Sequence, residues 1–333
     1  MKKILVTGGN GHLGYNLVKQ LSENGFQVKT TVRNINDDEK IKHLKKLSNI
    51  EIVEAELLNK ESLRYAMKDI DAVIHSASPV LLWSSNVKKE IEDPIILGTQ
   101  NVLESACENN IKKIVFTSSC SACGMSSSLN NPLTENNWNQ SSDFPLLKAK
   151  IDAEKWAFWY CNKNNIKLIS ILPPTIIGPN FSKVTPSLSL YYKIFQKQFF
   201  TIPNGGCHIV DVRDVAKAHV NALLFDQAEG RYLVAGEYFD FKELLKRIKK
   251  IQVDAKIPNY LPPLWTFYLL NSVDWLSHKV MKKERNLSRK IISNFFGKYQ
   301  YVSVNKAKQD LKWNPIPADK TIFDTLNWFH KLI

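Results

Sequence analysis

At 333 residues and 44% apolar side chains, the chain can bury a large core and is too apolar for a disordered polymer. A formal net charge of +13, from 45 basic and 32 acidic residues, favours anionic ligands. The basic residues are scattered, with one denser stretch at 279–290, and no aromatic-interleaved basic motif is present, so nucleic acid is not an expected partner.

The N-terminus, Met1-Lys2-Lys3 followed by Ile4-Leu5-Val6, has too short an apolar run for a signal peptide and reads as a first strand. No apolar run reaches the roughly 20 residues a membrane span needs, and a cytoplasmic location is expected. The five cysteines are an odd number, which argues against a disulfide framework. Cys120 and Cys123 have redox or half-zinc spacing, but no second pair completes it. They are read as small apolar side chains, with no metal site expected.

Short β-rich runs at 3–6, 27–32, 50–54, 72–75, 113–118 and 168–172 alternate with helical patterns at 11–23, 37–47, 60–67, 88–108 and 146–162. Several runs are almost continuously apolar, as strands buried on both faces must be, and the alternation predicts a parallel, doubly wound α/β sheet. After Pro173-Pro174 the pattern changes. Helices near 187–198, 241–251, 263–282 and 319–331 are separated by irregular, Pro- and aromatic-rich segments, and a strand at 231–235 is expected to return to the main sheet. The predicted organisation is a nucleotide-binding domain at 1–172, rejoined by 207–235, and a capping region at 173–333 that shapes a substrate pocket.

The strongest local feature is Val6-Thr7-Gly8-Gly9-Asn10-Gly11-His12-Leu13-Gly14, which follows an apolar strand and opens an amphipathic helix. In that context GxGxxG has a mechanism: glycines allow a tight turn and close approach, and the unpaired N–H groups of the helix start hold a pyrophosphate. This is a Rossmann-type unit. An NAD site usually places a carboxylate at the end of the second strand for the ribose 2′-hydroxyl. Here that position reads Thr31-Val32-Arg33-Asn34. Arg33 suits a 2′-phosphate instead, and Lys40 adds a second positive charge, so the expected cofactor is NADP(H).

These segments resemble the extended short-chain dehydrogenase/reductase family, within the NAD-dependent epimerase/dehydratase superfamily and its dihydroflavonol-reductase-like branch. Further matches are Asp71-Ala72-Val73-Ile74-His75-Ser76-Ala77-Ser78-Pro79, Gly98-Thr99-Gln100-Asn101, Phe116-Thr117-Ser118-Ser119, Ile176-Ile177-Gly178-Pro179, Asp211-Val212-Arg213-Asp214 and Leu311-Lys312-Trp313-Asn314-Pro315. The resemblance implies that Gly8, Gly11, His12, Leu13 and Gly14 line the pyrophosphate, and that Arg33 and Lys40 hold the 2′-phosphate. It implies that Glu56 and Leu57 meet the adenine, Ala77 and Ser78 pass under the ribose, and Pro173 touches the nicotinamide end. Ser119 would bond the substrate carbonyl, and Lys150, in Lys150-Ile151-Asp152-Ala153-Glu154, would bind the ribose and serve catalysis.

One position departs from the family pattern. The family acid is a Tyr four residues before the Lys, and here that residue is Leu146; no Tyr lies between Tyr65 and Tyr160. Hydride delivery to a carbonyl leaves an alkoxide that needs a proton, which Leu cannot give. Two readings follow: an NADP(H)-dependent oxidoreductase with an atypical proton donor, or an NADP(H)-binding sensor, regulator or assembly protein without turnover. A nucleotide-sugar epimerase or dehydratase would also need the Tyr. Trp83, Trp138, Tyr191, Tyr192, Phe195 and His208 are candidates for the pocket lining. Gly124 stands where plant flavonoid reductases carry a substrate-binding Asn, so a flavonoid substrate is not expected. The aromatic-rich stretch at 261–283 reads as a capping-domain core helix, with a membrane surface as the alternative. Small molecules are the expected partners, with the chain a monomer or homodimer.

Overall fold

The structure is a computed structural model that describes residues 2–125, 129–140, 142–199, 201–258, 260–281, 285 and 287–332. Residues 282–284 and 286 of the basic stretch lie outside it. The strands are β1 (Lys3–Thr7), β2 (Gln27–Val32), β3 (Ile50–Glu54), β4 (Ala72–His75), β5 (Lys113–Thr117), β6 (Lys167–Leu172), β7 (Thr175–Ile177), β8 (Gly206–Asp211), β9 (Gly230–Leu233), β10 (Tyr238–Asp240) and β11 (Tyr299–Gln300). The helices are α1 (His12–Glu23), α2 (Asp38–Ile41), α3 (Lys60–Ala66), α4 (Asp93–Glu108), α5 (Pro145–Lys163), α6 (Ser189–Phe195), α7 (Val212–Leu224), α8 (Phe241–Ile251), α9 (Leu264–Met281), α10 (Arg289–Phe295), α11 (Asn305–Asp310) and α12 (Ala318–Phe329).

Seven strands make one parallel sheet in the order β3-β2-β1-β4-β5-β6-β9. The continuously apolar runs have the reason expected of them. Ile4, Val6, Ala72, Ile74, Val115, Ile169 and Ile171 point into a core shared with α1 and α7. Their alternates Leu5, Val73, Ile114, Phe116 and Leu168 point into a second core shared with α3, α4 and α5. Both faces are covered, which is the doubly wound α/β arrangement. Strand order reverses between β1 and β4, and ligands of such sheets bind at the carboxyl ends beside that reversal.

Local departures from the sequence expectation have local causes. The helix expected over 37–47 is the single turn α2 plus a 3₁₀ turn at Leu44–Lys46, because Ile41 and Leu44 are its fully buried anchors amid charged residues. The helix expected from 88 opens with a widened π turn at Lys88–Glu92 before α4. Pro94 lacks the N–H that would bond back into that turn.

Beyond Pro173, β8 pairs with β10, β11 and β7 in a smaller sheet, while β9 returns to the edge of the main one. The short strands β7, β10 and β11 carry too few residues for a periodic signal, and sequence reading passes over them and over β8. A third core packs α6, α8 and α12 against β7 and β8. Trp313, almost fully buried, donates its indole N–H to the Asp214 carbonyl at 3.0 Å. Arg213 bridges Asp211 and Asp324, both at 2.6 Å, and so fastens α12 to the end of β8 and the start of α7. The core helix expected near 263–282 is a different object: α9 forms there but buries only Phe267 and Asn271.

Candidate active site

The turn between β1 and α1 closes on itself: the Gly11 N–H donates to the Gly8 carbonyl at 3.0 Å, and the Gly8 N–H donates to Thr31 Oγ1 at 3.1 Å. Gly8 has φ +74°, a left-handed conformation that side chains resist, and a Cβ on it would meet Ala77 at 3.0 Å. A Cβ on Gly14 would stand 2.0 Å from the Gly8 carbonyl oxygen, so nothing larger than glycine lets α1 start this close to the strand. The N-terminus of α1 has no side-chain cap, and its first-turn N–H groups face the cradle where a pyrophosphate is expected. The residues present therefore fit the expected dinucleotide.

Thr7 and His75, which sequence reading left without a role, form the floor of this cradle. Thr7 Oγ1 contacts His75 Nδ1 at 2.9 Å and accepts from the N–H groups of Ser76 and Ala77, both at 3.1 Å. That fixes Ala77 and Ser78 at the end of β4, against Gly8. Burial holds the His75 imidazole neutral, with its pKa lowered to about 3, and the nearby Lys150 charge acts in the same direction. His12 offers the loop its backbone only. Its ring bonds the Pro179 carbonyl at 3.0 Å and lies edge-on to Phe181, and burial lowers its pKa to about 4. Leu13 packs its side chain against the core beneath α1.

The far end of the cradle is basic. Arg33 is exposed at the end of β2 and makes no hydrogen bond or ion pair among the described residues. Lys40 is exposed too, but its ammonium is paired with Asp37, the cap of α2. Glu56 is exposed, its N–H held by Ser62 Oγ at 3.1 Å. Leu57 lies against Gly98 of α4, and its carbonyl accepts from Asn101 at 2.9 Å.

At the carboxyl ends of β5 and β6, the Cys120 N–H donates to the Pro173 carbonyl at 3.0 Å, joining Pro173 to the turn that begins with Ser119. Ser119 is half-buried and its hydroxyl accepts from the Ser121 N–H at 3.2 Å. Lys150 reaches the Thr117 carbonyl at 3.5 Å from within α5, and burial lowers its pKa to about 8. One turn earlier, Leu146 is 7% exposed, in an apolar cluster with Ile91, Ile95, Phe144, Leu147 and Ile291. Cys120 and Cys123 are buried; the Cys120 thiol donates to the Leu172 carbonyl, and burial pushes the Cys123 thiol up to about 12.

The residue sequence reading missed is Glu154, quoted only as part of the Lys150 motif. Its carboxylate is fully buried and accepts from Ser118 at 2.9 Å, Ser170 at 2.6 Å and Arg231 Nε at 3.1 Å. It thus ties α5 to β5, β6 and β9 and sets the height of Lys150 over the sheet. Arg231 lies in turn over the Trp138 ring at 3.7 Å. Several suggested pocket-lining residues are structural. His208 bonds the Gly236 carbonyl and the Val302 N–H, and Tyr192 and Phe195 pack on Phe329.

Comparison with known proteins shows the family. The chain is 31% identical over 275 residues to tetraketide alpha-pyrone reductase 2 of Arabidopsis thaliana, covering 78% of this chain and 84% of the relative. It is 30% identical over 275 residues to dihydroflavonol 4-reductase of Solanum lycopersicum, covering 78% and 70%. The crystal structure of gox2253 superposes with a TM-score of 0.84 at 25% identity, covering 99% of this chain and 98% of that one. A sequence profile of the NAD dependent epimerase/dehydratase family matches residues 4–236, and the chain belongs to that family, in its dihydroflavonol-reductase-like branch.

Proposed function

We propose that the protein is an NADP(H)-dependent oxidoreductase acting on a small or medium-sized carbonyl or alcohol. Residues 1–172 with β9 hold the dinucleotide, and most of 173–333 caps the substrate side. The carrying observation is Arg33, an exposed guanidinium without a partner among the described residues, at the strand end where an NAD site puts a carboxylate. Gly8, Gly11 and Gly14 with the N–H groups of His12 and Leu13 take the pyrophosphate; Glu56 and Leu57 flank the adenine. Arg33 holds the 2′-phosphate, and Lys40 contributes long-range attraction, its ammonium already paired with Asp37.

When bound, the reduced nicotinamide supplies a hydride to the carbonyl carbon. What the chain contributes is position and charge. Lys150, protonated below about pH 8, bonds the ribose hydroxyls beside Ala77 and Ser78. Ser119 orients the carbonyl oxygen, and Pro173 closes the nicotinamide end. The proton for the alkoxide reaches it through Ser119 or an ordered water, since Leu146 has none to give.

The same Leu146 favours a second reading, in which NADPH is bound and not turned over. Single-turnover mixing of the NADPH-loaded protein with a panel of aldehydes and ketones separates the two. Oxidation of bound NADPH by at least one carbonyl supports the reductase. Tight NADPH binding with no oxidation by any of them supports the binding protein.

A further inference from the structure

Helix α9 is built the opposite way round from a helix of a globular protein. Its side toward the protein carries Phe267, Asn271, Asp274 and His278, spaced i, i+4, i+7 and i+11, and three of the four are polar. Their partners are specific. Arg285 donates to Asn271 Oδ1 at 2.7 Å and to Asp274 Oδ2 at 3.1 Å, the His278 ring meets Trp83 at 5.3 Å, and Phe267 meets Phe296 at 4.9 Å. The opposite side carries Trp265, Leu269, Val273, Leu276 and Val280, with exposures of 62%, 60%, 64%, 55% and 72%. Tyr268, Leu270, Trp275 and Met281 widen this exposed apolar face. Soluble helices put such a stripe inside, and contiguous exposed apolar surface marks an interaction site.

Charge selects the occupant. The helix runs into Lys279 and, in the sequence, on through Lys282, Lys283, Arg289 and Lys290 against the single acid Glu284, while Arg285 is paired with Asp274. A second copy would bring two such basic ends and two +13 chains together. An anionic lipid surface instead attracts them, while Trp265, Tyr268 and Trp275 supply the aromatic side chains that favour the membrane–water boundary. No helix of the described residues is long and apolar enough to cross a membrane, so α9 would lie in the interface plane. We propose that α9 is a membrane-surface anchor that inserts its Trp265–Leu269–Val273–Leu276–Val280 face among anionic lipids. Phe296, which packs on Phe267, follows α10, whose Ile291 belongs to the Leu146 cluster; the anchor therefore adjoins the candidate active site.

The test is flotation of the full chain with vesicles of phosphatidylcholine alone and with about one third phosphatidylserine. The expected result is binding to the anionic vesicles that weakens with salt. The triple variant Leu269→Gln, Val273→Gln, Leu276→Gln should partition at least about tenfold less while keeping its Tm and NADPH affinity. Brominated lipids should quench tryptophan emission in the wild type and less in Trp265→Phe, a readout that does not depend on the triple variant folding. Failure of the wild type to bind either vesicle, or equal binding by a folded triple variant, overturns the proposal. So does a wild-type dimer that the triple variant dissolves without any lipid binding, which would assign the face to a second copy.

Discussion

Replacing Arg33 by Ala should remove the preference for NADPH over NADH and leave the fold intact. The side chain is exposed and unpaired within the described protein, so its loss leaves no buried group unsatisfied. A hydrogen-bonded charge pair of this kind contributes about 1.5–3 kcal/mol, or roughly 10- to 150-fold in affinity at 1.4 kcal/mol per tenfold. Exposure puts the effect toward the lower part of that range, and it should shrink with salt because the Debye length is only about 8 Å at physiological ionic strength. Arg33→Lys should keep the charge and lose the planar, bidentate contact, recovering part of the affinity. Calorimetric titration of each variant with NADPH and NADH at low and high salt measures all of this. Equal weakening of both cofactors by Arg33→Ala, or a wild type that prefers NADH, would refute the role given to Arg33.

Leu146→Tyr should raise carbonyl turnover by a factor within about 10²–10⁴, at an overpacking cost of about 1–3 kcal/mol in the Ile91–Ile95–Phe144 cluster; a folded variant no faster than a brisk wild type would show another group to be the acid. Gly14→Ala places a Cβ 2.0 Å from the Gly8 carbonyl oxygen and should abolish NADPH binding, measured by fluorescence titration, because the loop and α1 cannot both keep their places. Arg231→Met leaves the Glu154 carboxylate buried without its cation and should destabilise the protein by about 3–5 kcal/mol in urea unfolding, an outcome that a loss below about 1 kcal/mol would contradict. His12, His75 and His219 have their pKa values lowered by burial from 6.5 to about 4, 3 and 4. Below pH 6.5 the unfolded chain therefore binds more protons than the folded one, and stability should fall as pH drops toward 4. Asp214, raised by burial from 3.8 to about 6, opposes this between those values, but burial lowers His43 and His208 as well and the histidines prevail; denaturant unfolding at pH 7 and 5 checks the sign.

The parallel sheet and the phosphate loop were legible in the sequence because their determinants are local. Strands β1 to β6 announce themselves as short β-rich runs, several of them almost continuously apolar. Gly11 and Gly14 answer contacts with Gly8 only a few residues away, and Arg33 is defined by its place at the end of one strand. Contacts between distant segments were decided only by the tertiary structure. Glu154 meets Arg231 across 77 positions, Thr7 meets His75 across 68, and the His12 ring turns to Pro179 across 167; no sequence window holds both partners. The clearest case is α9, whose residues are apolar enough to read as core. Its polar side chains Asn271 and Asp274 are claimed by Arg285, and that turns the apolar face outward. Helical periodicity determines which residues share a face, and the neighbouring charge determines which face is inside.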